Sequence, residues 1–245
     1  MLWFAWLLAV STASASAAEI DVLSAGAIEP GLKPAVAAFE KATGHTVRVT
    51  FNTAPQIRQR LAQRGPFSVV IAPRVLLDEL TASGQAGPAR TDVGGVGLGV
   101  AVRPGAPVPD IASADALTRS VLEADSLVYN RASTGLYFES LLAKLGIAEQ
   151  VAARTTRYAD GASVMAHVLK GTGREIGVGP ITEILLVRDQ GLRLVGPLPP
   201  EVQNVTRYQA ATLVGAAEPQ AAALFVQFLE EPAARALFEA AGIAR

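Results

Sequence analysis

With 245 residues, half of them hydrophobic and 18% charged, the chain can bury one large core or two lobes and is too apolar for extensive disorder. A formal net charge of −1 and an aromatic content of 6% exclude a phosphate-driven nucleic-acid binder, which needs a basic surface. The absence of cysteine excludes a disulfide framework, a lipidated anchor cysteine and thiolate chemistry.

The sequence opens on an apolar run, Leu2–Val10, well short of the ~20 residues that span a bilayer. Ala15-Ser16-Ala17 and Ser16-Ala17-Ala18 both fit the small-x-small pattern of signal-peptide cleavage. Residues 1–18 are therefore expected to be a cleaved signal peptide for a periplasmic protein, although no Lys or Arg precedes the run. Trp3 and Trp6 lie inside it, so the processed chain is expected to hold no tryptophan.

Strand-like and helix-like stretches then alternate, as in parallel βαβ units. Strands are expected at Ile20–Leu23, Thr46–Phe51 and Ser68–Ile71, and helices at Glu29–Thr43, Pro55–Arg64 and Arg74–Ser83. The first helix repeats Leu32, Val36 and Phe39 at helical spacing and stops at Gly44. A strand at Val96–Val102 leads into a region of the same style. It has helices at Asp110–Glu123, Thr134–Leu145 and Gly161–Lys170, and strands at Ser126–Tyr129 and Glu175–Val178. A long strand, Val205–Val214, and two helices opened by proline, Pro219–Glu230 and Pro232–Ala240, complete the chain. This order implies an α/β protein of two lobes, each a mixed sheet flanked by helices. Residues 19–98 and 207–245 would form lobe I and 99–206 lobe II, with hinge crossings near residues 98–102 and 204–210.

In such sheets, ligands sit beyond the carboxyl ends of strands, where helix N-termini offer unpaired N–H groups and partial positive charge. Four corners built of small or hydroxylated residues fit that role: Ser24–Ile28, Asn52–Pro55, Arg131–Gly135 and Asp160–Ser163. Each alone also reads as an ordinary helix cap. Together, two per lobe, they suggest a shared cleft.

The chain resembles the periplasmic molybdate-binding proteins of the type II periplasmic binding-protein fold. The likeness is carried by Val22-Leu23-Ser24-Ala25-Gly26-Ala27, Phe39-Glu40-Lys41-Ala42-Thr43-Gly44, Ser133-Thr134-Gly135-Leu136-Tyr137, and Glu231-Pro232-Ala233-Ala234-Arg235-Ala236-Leu237-Phe238. The resemblance implies the solute-binding component of an ABC importer, monomeric, with a permease in the inner membrane as partner and no cofactor. Its implied ligand is a small oxyanion, molybdate- or tungstate-like. The family's two serine hydroxyls fall on Ala27 and Ala54. Its tyrosine falls on Pro180, if one residue near Arg174 is inserted. The family's backbone donors fall on Thr134 and Gly161. Ser24, Thr53, Ser133 and Thr134 are available as replacement hydroxyls, and Arg131 and Arg74 as cations near the cleft. The missing hydroxyls leave another small anionic or organic ligand, or a non-transport sensor on the same fold, as alternatives.

Catalysis is not expected. The two histidines, His45 and His167, have no companions at metal-ligand spacing, and no nucleophile elbow, P-loop or zincin motif is present. No catalytic or metal-binding residue is therefore assigned.

Overall fold

The computed structural model describes residues 17–244. Most of the expected signal segment, with Trp3 and Trp6, lies outside them. No helix among the described residues is long and apolar enough to cross a membrane.

The chain runs β1 (Glu19–Ala25), α1 (Glu29–Thr43), β2 (Thr46–Asn52), α2 (Ala54–Ala62), β3 (Val69–Pro73) and α3 (Arg74–Ala82) before entering the long β4 (Ala86–Val102). Then come α4 (Ala114–Glu123), β5 (Ser126–Asn130), α5 (Ser133–Lys144), α6 (Ala148–Ala152), β6 (Thr155–Tyr158), α7 (Gly161–Lys170), β7 (Glu175–Pro180), α8 (Ile181–Leu186) and β8 (Arg193–Pro197). The return passes through β9 (Val205–Leu213), α9 (Pro219–Phe228) and α10 (Pro232–Ala240).

The strands follow the order β2-β1-β3-β9-β4-β7-β5-β6, with β8 also pairing β4. β1 pairs β2 and β3 in parallel, β5 does the same with β6 and β7, and β9 and β4 run antiparallel to their neighbours. The result is the two-lobed α/β arrangement read from the sequence. One core cluster fills the first lobe around Leu23, Leu32, Phe39, Ile71 and Phe225. The second lobe has a cluster on each sheet face, because neighbouring residues of β5 point oppositely. Leu127 and Tyr129 meet Phe138 and Leu141 of α5, while Val128 meets Val164 and Met165 of α7.

β4 serves both lobes. Residues Ala86 to Gly97 pair with β9, whereas Leu98 to Val102 pair with β7 and β8. At this crossing the Gln203 amide closes on the Leu98 backbone, accepting from its N–H and donating to its C=O, both at 2.9 Å. The two chain crossings are thereby stapled side by side.

β4 starts ten residues earlier than the strand expected at Val96. Gly87, Pro88, Gly94 and Gly95 read locally as loop, but pairing with β9 overrides that preference. Gly94 takes φ +133°, and a Cβ there would come within 2.8 Å of the Ala244 carbonyl, where the chain end bridges to Gly95.

Candidate functional site

A cavity of about 650 Å³ opens between the lobes. Four helices begin at its wall: α1 after the 3₁₀ turn Gly26–Ile28, α2 at Ala54, α5 at Ser133 and α7 at Gly161. Each start leaves N–H groups unpaired within its own helix, so their partial positive charges face one space. The lobes also touch beside it: the buried Thr182 hydroxyl donates to the Ala27 carbonyl at 2.7 Å.

Of the residues singled out by sequence, Ala27, Thr53, Ala54, Ser133, Thr134, Gly161 and Pro180 line the cavity. Ser24 does not. β1 runs on to Ala25, so Ser24 is still inside the strand, fully buried, with its hydroxyl donated to the Ala25 carbonyl. Arg131 is also outside: its backbone N–H extends the β5–β6 ladder to the Tyr158 carbonyl and its side chain is exposed. Arg74 opens α3 with an exposed side chain and lies outside as well.

The hydroxyls expected to replace the missing donors are mostly committed within the protein. Thr53 donates to Gln56 Oε1 at 3.0 Å, and Thr134 exchanges hydrogen bonds with the Asn130 amide. Ser133 keeps a hydroxyl with no hydrogen-bond partner among the described residues. The histidines sit elsewhere. His45 Nδ1 accepts from the Ala18 N–H, and His167 Nδ1 bonds the Tyr158 hydroxyl. No cluster of three or more metal-ligating side chains occurs among the described residues.

Among the cavity residues that the sequence reading did not single out are Glu183 of α8 and Tyr208 of β9. Glu183 is partly reached from the cavity, but its Oε2 is sealed from solvent and has no hydrogen-bond partner among the described residues. Burial, and then the carboxylates of Asp160 and Glu29, push its carboxyl up to about 7. Neither neighbour relieves it. Asp160 caps α7 by accepting from the Ser163 N–H, and Glu29 is paired with Lys33. Burial first, and then Glu183, push the Tyr208 phenol well above its ordinary range.

The signal for Glu183 was its position: Pro180 ends a strand and Glu183 falls in the next turn, the same kind of corner as the other four. At six residues, α8 is too short to show helical periodicity. Tyr208 was legible only as one residue of an apolar strand.

Gly161 makes room for the carboxylate. A Cβ there would lie 1.5 Å from Glu183 Oε2. Gly161→Ala is therefore expected to swing the Glu183 side chain away and keep the fold, since only the tip of a flexible side chain must move. Any activity that depends on that carboxylate should fall about 100-fold, the usual cost of an ångström-scale misplacement. Unchanged kinetics with a well-folded circular dichroism spectrum would refute the contact.

The family model for bacterial extracellular solute-binding proteins matches residues 20–244. A curated relative, aconitate isomerase of a Pseudomonas species, is 32% identical over 232 residues, 91% of this chain and 87% of that protein. The Azotobacter vinelandii periplasmic molybdate-binding protein superposes with a TM-score of 0.78 at 19% identity, covering 92% of this chain and 99% of that one. The sulfate-binding protein SubI of Mycobacterium tuberculosis H37Rv gives 0.75 at 15% identity, over 92% and 86%. At those identities the structural matches establish the periplasmic binding-protein fold and leave the ligand open. The expectation of no catalytic role is corrected by the relative named as an isomerase. The sequence reading sought nucleophiles and metal ligands and gave no weight to a lone desolvated carboxyl such as Glu183.

Proposed function

The chain belongs to the bacterial extracellular solute-binding proteins, and we propose that within that family it is an isomerase that holds a small unsaturated polycarboxylate between its lobes and shifts the double bond by proton transfer through Glu183. One observation carries the reading: a carboxyl with an unpartnered oxygen and a pKa near 7 faces a cavity walled by helix N-termini. A general base works best when its pKa is close to the operating pH.

Aconitate, the compound in the relative's name, suits this arrangement. It is a short alkene with a carboxylate on each carbon of its backbone. We assign its carboxylates to the N–H groups at Ala27, Ala54, Thr134 and Gly161, helped by the Ser133 hydroxyl. Glu183 takes a proton from the methylene carbon, and the electron pair spreads over the allylic carbons and the adjoining carboxylate. The proton returns to the far carbon and the double bond moves, giving the same constitution with either geometry. Nothing is oxidised or reduced. The reaction needs a buried base and charge stabilisation, and both are supplied by groups in the cavity.

Proton NMR of cis- or trans-aconitate with the purified protein in D₂O tests this directly. Interconversion with solvent deuterium entering the exchanging carbon is expected; neither isomerisation nor exchange would sink the assignment. The pH profile has a defined sign. Because Glu183 must be ionised to accept a proton, kcat/KM should climb as pH rises through about 7 and then level off. A flat profile from pH ~5 to ~9 would remove Glu183 as the base.

Capture of a small anion for an ABC permease in the periplasm is the second reading, favoured by the hinged architecture with its Gln203 staple. A molybdate- or tungstate-like oxyanion is poorly served, since Ala27, Ala54 and Pro180 bring no hydroxyls to the wall. A larger thermal stabilisation by molybdate, tungstate or sulfate than by aconitate would turn the assignment toward oxyanion capture.

A further inference from the structure

Resting on the isomerase reading, we propose that Tyr208 is a second catalytic residue: its hydroxyl donates a hydrogen bond to the substrate carboxylate that gains charge when Glu183 removes the proton.

Tyr208 sits on β9 opposite Pro73 of β3 and beside Gly94 of β4, in the first lobe. Its side chain is 3% exposed and lines the cavity. The hydroxyl has no hydrogen-bond partner among the described residues, and it is absent from the sealed, unpartnered atoms that include Glu183 Oε2. The space beside it is the cavity that Tyr208 lines. A buried phenol without a protein partner is costly unless a ligand satisfies it. Thr53 and Thr134 are committed to Gln56 and Asn130, so Tyr208 and Ser133 are the cavity hydroxyls left to a ligand.

The direction of the hydrogen bond follows from the surroundings. Burial and the nearby Glu183 carboxylate keep the phenol protonated at any working pH, which makes it a donor and not a second base. When the methylene proton leaves, the adjoining carboxylate takes on the electron pair as an enolate-like dianion. A fixed donor at that oxygen interacts more strongly with this state than with the ground state. Tyr208 keeps its own proton throughout, and Glu183, whose carboxyl proton exchanges with solvent, returns one proton for the one it took. Base and donor come from opposite lobes, so the pair is complete only when the lobes are closed.

Tyr208→Phe tests this with minimal disturbance, because the hydroxyl it removes holds nothing in the protein. We expect kcat to fall about 10- to 100-fold, the worth of a hydrogen bond to a charged acceptor, with KM little changed. Deuterium exchange into the substrate should slow in parallel, while the melting temperature stays at or above the wild-type value. An unchanged kcat overturns the proposal. So does a rise in KM alone, which would make Tyr208 a ground-state contact. Wild-type protein assayed alongside separates the two failures: if it does not interconvert the isomers, the isomerase reading falls and this inference with it.

Discussion

Under the proposed isomerase function, Glu183→Gln is expected to lower turnover by about 100- to 10,000-fold, the range supplied by a positioned general base, and to leave the protein folded. The amide keeps the shape of the side chain, so its packing against Gly161 and Gly26 survives. It cannot accept a proton, so both isomerisation and deuterium exchange should stop together. Binding should persist or tighten, since a negative charge has been removed from an anion site. A variant that retains more than about a tenth of wild-type kcat would exclude Glu183 as the base.

The same substitution has a signed effect on stability. A carboxyl whose folded pKa is raised from 4.5 to about 7 favours folding most when protonated, below pH ~4.5, and loses that contribution as pH rises through 7. Ionised Glu183 then costs roughly 3 kcal/mol, from 1.36 kcal/mol per pKa unit. Glu183→Gln should thus melt higher than wild type at pH ~8 and much closer to it at pH ~5. A stabilising mutation that abolishes activity is the usual mark of a functional group held in an unfavourable environment.

Phe39→Ala is expected to remove about 3–5 kcal/mol of stability, a large part of the ~5–15 kcal/mol typical of a folded protein. The ring is fully buried. It stands edge-on to Phe225 at 5.0 Å and to Phe228 at 5.4 Å, tying α1 to α9, and stacks on His45 at 6.0 Å. Urea titration should show a lower midpoint with an unchanged slope, since the loss is one of packing and not of surface exposed on unfolding. A loss under about 1 kcal/mol would mean that neighbouring side chains collapse into the space.

Much of the fold was legible because its signals are local. The expected bounds of α1, α7 and α10 coincide with the structure. Gly44 at φ +75° ends the first, Asp160 caps the second, and Pro232 opens the third. The elements that went unread are α6, β6, α8 and β8, each of four to six residues. Such lengths carry too few repeats to show a period.

The sequence by itself determined the alternation of strands and helices and the small-residue corners, with Ala27, Ala54 and Pro180 carrying no hydroxyl. These depend on residues adjacent in the chain, where caps, periodicity and side-chain size act directly on the backbone. Only the tertiary structure decided which side chains face the cavity and in what state. Glu183 meets Gly161 and Asp160 within the second lobe, across elements distant in the chain, and Gly26 and Glu29 only when the lobes pack together. Its basicity is a property of that desolvated assembly, as is the unpartnered hydroxyl of Tyr208 beside it. Burial and charge proximity are set by distance in space, and no spacing along the chain encodes them.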